Sequence, residues 1–380
     1  MRFSRRVSRR SGAQPPAPHV LMTADTTGGV WRYAIDLSTE LIARGGRVTL
    51  AVMGPPPSAG QQAEARTAGV QLESAPFRLE WMDAPWTDVD AAGEWLLALE
   101  RETEPDVVHL NGFAHGALPW RVPAIVVAHS CVCSWWRAVH GEAAPVGWEQ
   151  YRVRVKRGLC AATAVIAPTA AMRRALHAEY GLRAAVRVVA NGRSCVSGHS
   201  NVRRTRSEYV LAAGRLWDPA KNIQSLCTAA RLVEWPVFVA GDARGPDDRR
   251  VALTGVRWLG ELEPGVLRAW MNDAGIYAHP ARYEPFGLSV LEAAAAGCAL
   301  VLGDIDSLRE TWDGAAMFVA PDDSVALAAA IRTLIAEPEQ RSRLAIRAAA
   351  RASAFTIERM ADAYLDAYGD AMNRQRRQAS

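Results

Sequence analysis

The sequence predicts an α/β protein of two domains, each built on a parallel sheet with helices covering both faces. Short runs rich in β-branched residues alternate with longer segments of helical periodicity, which is the pattern of strands joined by crossover helices. This alternation occurs twice along the chain. A length of 380 residues is also more than one hydrophobic core usually organises. We therefore expect two domains with a cleft between them.

The predicted elements follow in order along the chain. In the first half, strands are expected at residues 19–23, 48–53, 107–110, 124–128, 164–168 and 186–189. In the second half they are expected at residues 209–213, 237–240, 256–259, 275–278 and 299–302. A last helix is predicted from residue 357 to residue 372, after Thr356 as its N-cap.

Domain limits follow from where the apolar periodicity stops. At residues 194–206 it gives way to Ser, Asn, Gly and Arg, which predicts an interdomain linker. The expected organisation is a disordered basic tail (1–16), a first domain (17–193), the linker (194–206), a second domain (207–355), and a C-terminal helix with its tail (356–380). We expect that helix to pack back on the first domain.

Composition excludes several classes of protein. Hydrophobic residues make up 49% and charged residues 22% of the chain, which is typical of a globular protein. The net charge is only +4, and much of it lies in the opening run of Arg2, Arg5, Arg6, Arg9 and Arg10, so nucleic acid is not indicated as a partner. We expect this tail to be a solvated arm, with peripheral contact to an anionic membrane surface or a targeting role as alternatives.

Cysteine usage and metal-binding patterns give no sign of a cofactor. The six cysteines form no framework typical of a secreted domain, and a cytoplasmic location, with the inner membrane face as an alternative, fits best. Cys131 and Cys133 lie near His129, but a structural zinc site needs four ligands and no second suitable pair is present. The Asp304-Ile305-Asp306 segment does not match a metal-binding Asp-x-Asp loop in position. We therefore expect no metal and no cofactor.

A glycine pair, Gly28-Gly29, ends the first predicted strand and leads into a helix. Glycine lets the backbone approach an anion closely, and the N–H groups that open a helix favour negative charge. The Gly-x-Gly-x-x-Gly fingerprint and the Walker lysine are both missing, which disfavours an NAD enzyme and a P-loop ATPase. A tight turn that simply needs glycine explains the pair equally well.

Two cations follow the first predicted strand of the second half, in Gly214-Arg215 and at Lys221. Open α/β sheets bind ligands at the carboxyl ends of their strands, and an Arg with a Lys can neutralise a diphosphate. Two solvated surface cations are the alternative interpretation.

Two glutamates mark the loop and helix that follow the strand at 275–278. Glu284 precedes the helix, and Glu292 lies about two turns into a strongly apolar segment. An ionised carboxylate needs partners there. Sugar or ribose hydroxyls would serve both glutamates, and the amides of Gly287 and Leu288 would accept a phosphate. The alternative is that Glu292 pairs with an arginine of the core.

Taken together, these elements resemble the retaining glycosyltransferases of family 4, whose GT-B fold consists of two facing Rossmann-like domains. The matching motifs run in the same order over nearly the whole chain: Gly28-Gly29, Asp106-Val107-Val108-His109, the strand ending in His129, Asn191-Gly192, Gly214-Arg215-Leu216 with Lys221-Asn222, Leu259-Gly260, and Glu284 and Glu292 separated by seven residues. The chain departs from the family at Arg193-Ser194, where a hydrophobic residue and an aspartate are usual. This departure affects the contacts expected at the hinge.

The resemblance implies an enzyme that moves a hexosyl group from a UDP-, GDP- or ADP-sugar, with retention of the anomeric configuration. The acceptor, which is a carbohydrate, a lipid or a small molecule, is not identified, and a role in cell-envelope polysaccharide or glycolipid synthesis is an expectation. The implied catalytic residues are His129, Arg215, Lys221 and Glu284. The implied donor-binding residues are Gly29, Gly214, Arg215, Lys221, Glu284, Phe286, Gly287, Leu288, Ser289 and Glu292.

The family pattern also assigns roles: the first domain would bind the acceptor, and the second domain would bind the donor. Arg215 and Lys221 would hold the diphosphate, Glu284 the donor sugar and Glu292 the ribose, with His129 near the reacting sugar. Without a metal, the two cations and the helix amides would have to stabilise the leaving group. Two alternatives stay open: a GT-B nucleotide-sugar epimerase or hydrolase, which needs no acceptor, and a catalytically silent partner of another transferase.

Overall fold

The computed structural model describes residues 18–183, 185–194, 206–245 and 248–379. The predicted basic tail at 1–16 and most of the predicted linker at 194–206 lie outside these ranges. Within them, the strands of the first domain are β1 (His19–Asp25), β2 (Arg47–Met53), β3 (Gln71–Ala75), β4 (Val107–Leu110), β5 (Ala124–Val127), β6 (Ala164–Ala167) and β7 (Val186–Val188). Those of the second domain are β8 (Ser207–Ala213), β9 (Val237–Ala240), β10 (Arg257–Trp258), β11 (Ala274–His279), β12 (Ala299–Gly303) and β13 (Met317–Val319).

Helices connect these strands and cover both sheets. In the first domain they are α1 (Gly29–Ala43), α2 (Ala59–Thr67), α3 (Trp86–Thr103), α4 (Val132–His140), α5 (Glu149–Ala161) and α6 (Ala170–Tyr180). The second domain contributes α7 (Ile223–Ala229), α8 (Pro264–Asp273), α9 (Leu288–Ala295), α10 (Asp306–Trp312), α11 (Ser324–Ala336) and α12 (Pro338–Ala352). The last helix, α13 (Ile357–Ala379), begins where the sequence predicts and continues seven residues beyond the predicted end at 372.

The two sheets share one strand order, apart from the additional edge strand β7 in the first sheet, and all of their strand pairs are parallel. The first sheet has the order β3-β2-β1-β4-β5-β6-β7, and the second has the order β10-β9-β8-β11-β12-β13. Each is a doubly wound Rossmann-like sheet whose order reverses beside its first strand. The predicted α/β class with two Rossmann-like domains is therefore confirmed.

The sequence analysis missed two strands, β3 and β13. Each lies at the edge of its sheet, where one side of the strand has no neighbour. In β3 the sequence is Gln-Leu-Glu-Ser-Ala and its residues are half-buried or exposed, while β13 has only three residues. Edge strands need less apolar sequence than central ones, so the run of β-branched residues on which the other predictions rested is absent there.

Helix α13 packs back on the first domain. Its residues Tyr364 and Tyr368 are fully buried in the same core cluster as Tyr33 and Leu37 of α1. The chain passes between the domains twice, and the two crossings lie side by side. The Arg193 N–H donates to the Phe355 carbonyl, and the Ile357 N–H donates to the Arg193 carbonyl, both at 3.1 Å. Within the described residues, no helix is both long and apolar enough to cross a membrane.

Candidate active site

The site lies where the carboxyl ends of the two sheets face each other. In a doubly wound sheet the crevice opens where the strand order reverses, which is between β1 and β4 in the first domain and between β8 and β11 in the second. The loops after these four strands carry the predicted Gly28-Gly29 turn, Arg215 and Glu284. Repetition of one topology therefore brings distant motifs to a single cleft.

The glycine turn of the first domain contacts the helix start of the second. Gly28 has φ +86°, in the left-handed region that glycine adopts without strain. A Cβ built on Gly29 would lie 3.5 Å from Leu288 Cδ1 at the start of α9, and one on Gly28 would lie 3.9 Å from Arg215 Nη1. The structure thus brings Gly29, Leu288 and Arg215 together across the cleft.

Arg215 is held at the cleft but keeps part of its guanidinium accessible. Its Nη2 donates to Asp218 Oδ2 at 3.0 Å, and its side chain, which lies over the Trp217 ring, is 40% exposed. Asp218 also accepts a hydrogen bond at 3.0 Å from Trp135 Nε1 of the first domain. The loop itself is fixed by a close backbone approach, because a Cβ on Gly241 would lie only 1.9 Å from the Gly214 carbonyl oxygen.

Glu284 is the centre of a buried, charge-paired cluster. Its Oε2 accepts from Lys221 Nζ at 2.6 Å and from His279 Nε2 at 3.1 Å, and its Oε1 accepts from the Gly287 N–H at 3.1 Å. Burial by itself would raise the pKa of Glu284, but the Lys221 charge and the His279 hydrogen bond outweigh it and hold the pKa well below its usual value. The carboxylate is therefore ionised and fixed.

Sequence reasoning missed His279, which completes this cluster. It is the last residue of β11, directly after the strand predicted at 275–278. The position of His129 at a strand's carboxyl end suggested a functional role, and the same argument applied to His279 would have found it.

The start of α9 brings Gly287, Leu288 and Ser289 to the cleft side of the second domain. Gly287 is the N-cap residue with φ +91°, and the first amides of any helix lack intrahelical acceptors. Phe286 is different: its ring is buried in the domain core and packs against Phe355 at 5.6 Å between centroids. The Phe286 side chain is thus directed away from the cleft, so a contact with the donor would have to come from its backbone.

Glu292 pairs with an arginine, as the alternative interpretation expected, yet stays accessible. The partner is Arg193, whose Nη2 forms an ion pair with Glu292 Oε1 and whose Nη1 donates to Asp36 Oδ2 at 2.6 Å. The Glu292 side chain remains 33% exposed. Arg193, where the chain departs from the family pattern, therefore directly contacts Glu292, the residue that is predicted to bind the ribose.

His129 belongs to a polar network at the end of the first sheet. Its Nε2 lies 2.8 Å from Asn111 Oδ1, and His109 Nε2 lies 3.0 Å from the same oxygen. Since Asn111 donates through Nδ2 to the Thr23 carbonyl at 2.6 Å, its Oδ1 is the acceptor and Nε2 carries the proton in both rings. Tyr368 of α13 lies 2.6 Å from His109 Nδ1 through its hydroxyl and donates to it.

Burial keeps His129 neutral. It lowers the pKa of His129 to about 3, and the neighbouring His109 adds a smaller effect in the same direction, because two imidazolium charges would repel each other. Asp25 at the end of β1 shows the opposite shift, because burial outweighs the Thr27 amide and the Arg215 charge and raises its pKa to about 6. The cations of the cleft thus come from the second domain, whereas His129 and Asp25 of the first domain carry no positive charge.

This arrangement is suited to a ligand that carries both a diphosphate and hydroxyl groups. Arg215, Lys221 and the α9 amides supply positive potential, and the carboxylates of Glu284 and Glu292 accept from hydroxyls. In the described ranges, no group of three or more His, Cys, Asp or Glu side chains is placed to hold a metal ion.

Comparison with known proteins finds one family model that matches the first half of the chain and another that matches the second half. The model for Glycosyltransferase Family 4 matches residues 27–195, and the model for Glycosyl transferases group 1 matches residues 207–337. A glycogen synthase of Mycobacterium tuberculosis is 28% identical over 363 residues, which cover 84% of this chain and 85% of that protein.

Solved structures with the same fold cover almost the whole chain. Sucrose-phosphate synthase from Thermosynechococcus elongatus superposes with a TM-score of 0.74 at 18% identity and covers 95% of this chain and 100% of that one. Anabaena HepE in complex with UDP-glucose gives a TM-score of 0.73 at 20% identity, covering 93% and 100%.

Two facing Rossmann-like domains with the site between them define the GT-B fold. The chain carries a Glycosyltransferase Family 4 domain followed by a Glycosyl transferases group 1 domain, and it is therefore a glycosyltransferase of this type. The sequence-based recognition of the family is confirmed.

Proposed function

We propose that this glycosyltransferase moves a hexosyl group from a nucleoside-diphosphate sugar to an acceptor with retention of configuration and without a metal ion. The observation that carries the proposal is the Lys221–Glu284–His279 cluster beside Arg215 at the switch point of the second sheet. It combines fixed cations with an oriented, ionised carboxylate. The UDP-glucose complex of HepE supports a nucleotide sugar as donor.

In this proposal the protein acts mainly through electrostatics. Negative charge develops on the leaving diphosphate, and Arg215, Lys221 and the amides that open α9 offset it. Glu284 accepts hydroxyls of the donor sugar and fixes its orientation. The acceptor attacks from the leaving-group side, and the departing phosphate oxygen takes the acceptor's proton.

His129 assists without acting as a base in this scheme. Because its Nε2 donates to Asn111 and its pKa is about 3, the ring stays neutral at physiological pH. A neutral imidazole near the reacting sugar adds a polar contact and no competing positive charge.

We propose that the reaction takes place in the cytoplasm. If the acceptor is a lipid, the protein would contact the inner face of the membrane.

A nucleotide screen in the presence of EDTA tests the donor site. UDP, GDP and ADP and their sugars are added to the purified protein, and the melting temperature and the release of nucleoside diphosphate are measured. We expect nucleotides with one of the three nucleobases to raise the free energy of unfolding by about 2.7 kcal/mol at a concentration a hundred times their Kd. Lys221→Ala and Glu292→Ala should lose that effect. Arg332→Ala, which breaks an exposed pair with Glu234, should retain it.

The acceptor and the stereochemistry need separate measurements. NMR of the product should show the anomeric configuration of the donor, and an inverted product would contradict retention. Release of nucleoside diphosphate at an unchanged rate without any acceptor would indicate a hydrolase. A failure of all nucleotides to bind, or binding that requires a divalent metal, would overturn the proposed donor site and favour a silent partner.

A further inference from the structure

Three charged side chains from different parts of the chain meet beside the hinge. Arg193 Nη1 donates to Asp36 Oδ2 at 2.6 Å, and Arg193 Nη2 forms an ion pair with Glu292 Oε1. The Arg193 and Asp36 side chains are 14% and 17% exposed. We call this group the hinge triad. It joins α1 of the first domain to α9 of the second through a residue that belongs to the chain crossing.

The backbone of Arg193 is fixed on both sides. Its N–H donates to the Phe355 carbonyl and its carbonyl accepts from the Ile357 N–H. Neighbouring Gly192 lies so close to the second crossing that an added Cβ would be 2.1 Å from the Thr356 carbonyl oxygen. The guanidinium therefore extends from a rigid point, and a planar fork held in this way restricts the orientation of a carboxylate that it contacts.

The charges of the triad select the kind of group that can bind next to it. One guanidinium faces two carboxylates, so the formal charges of the triad sum to about one negative charge. Glu292 Oε1 is engaged by Arg193, whereas Oε2 has no ion-pair partner within the described residues. An excess negative charge repels phosphate. A carboxylate oxygen that is not already engaged accepts hydrogen bonds from hydroxyls.

We infer that Arg193 is a positioning residue for nucleotide recognition: it orients the Glu292 carboxylate so that its second oxygen can accept from the ribose hydroxyls. This inference rests on the proposed function, which supplies the nucleotide. Asp36 holds the other end of the guanidinium. The ribose acceptor is thereby built from both domains and depends on their arrangement at the hinge.

The test compares each nucleoside diphosphate with its 2′-deoxy form by isothermal titration calorimetry. The preference for ribose is a ratio of two dissociation constants on one protein sample, so it is insensitive to the fraction of active protein. In the unmodified protein we expect a preference of about tenfold, the size of one hydrogen bond to a charged group. Glu292→Gln should reduce the preference to about twofold, as the amide accepts less strongly.

Arg193→Ala should reduce the preference to the level of Glu292→Gln, and the double variant should show no further loss. If Arg193→Ala proves unable to fold, Arg193→Lys serves instead, because one ammonium cannot hold two carboxylates as a fork does. Arg332→Ala is the matched control and should keep the tenfold preference.

The outcomes separate this inference from the proposed function. If Glu292→Gln loses the preference while the Arg193 variants keep it, Arg193 is only a structural link and the inference is overturned. If the unmodified protein binds diphosphates without preferring ribose, the ribose role of Glu292 is wrong and the inference fails with it. If no nucleotide binds, the proposed function itself fails.

Discussion

Replacing Lys221 by methionine is the most informative perturbation of the cleft. The Lys221 and Glu284 side chains are 18% and 13% exposed and are joined by a 2.6 Å hydrogen bond. Methionine keeps the unbranched shape and most of the length of the side chain but removes its charge. Glu284 would then retain only His279 and the Gly287 amide as hydrogen-bond partners. The negative charge of this nearly buried carboxylate would no longer be paired with the positive charge of Lys221.

The expected cost follows from that burial. Breaking a buried ion pair by removing one partner costs about 3–5 kcal/mol, because the other charge is left without compensation. For a domain of 150–250 residues, each kcal/mol lowers the melting temperature by about 2–4 °C. We therefore expect Lys221→Met to lower the melting temperature of the second domain by roughly 6–20 °C at neutral pH.

A double-mutant cycle measured by calorimetry distinguishes this cause from general damage to the loop. Glu284→Gln in the Lys221→Met background should recover most of the lost stability, since no unpaired charge remains. Because the pKa of Glu284 lies below its usual 4.5 in the unmodified protein, the pair stabilises the fold above that pH and loses its effect as pH falls. The difference in melting temperature between the unmodified protein and the Lys221→Met variant should therefore become smaller as the pH is lowered. An unchanged melting temperature in Lys221→Met, or no recovery in the double variant, would refute the reasoning.

Three further predictions concern the first domain and the hinge. Tyr368→Phe removes the donor to His109 Nδ1 and should cost about 1–3 kcal/mol in urea unfolding; an unchanged midpoint would contradict the assigned hydrogen bond. Gly192→Ala places a Cβ 2.1 Å from the Thr356 oxygen and should cost about 1–3 kcal/mol or more, whereas Gly369→Ala in α13, with open space around it, should stabilise by about 0.5–1 kcal/mol. Asp25 has a raised pKa of about 6 against an ordinary 3.8, so its proton is held more tightly in the folded state. Stability should decline as pH rises through that range, and Asp25→Asn should lack this decline; equal pH profiles would argue against the shift.

The candidate site was largely predictable because its motifs are local. Gly28-Gly29, Gly214-Arg215 and Glu284 each lie in the segment that follows a strand, and a parallel sheet brings the ends of its strands to one edge. Their spacing along the chain is therefore enough to predict that these residues share one cleft. Phe286 belongs to the same motif, but its side chain serves the core, which the motif by itself does not reveal.

What the sequence determined by itself is the α/β class, the central strands and the motifs of the cleft, since these depend on periodicity and on neighbours along the chain. Only the tertiary structure decided which charges pair. Tyr368 and His109 are 259 positions apart, and Arg193 meets Asp36 and Glu292 only because the chain crosses between the domains beside both helices. The physical reason is that burial and ion pairing depend on groups brought together by packing. The spacing of these groups along the chain does not predict that they will meet.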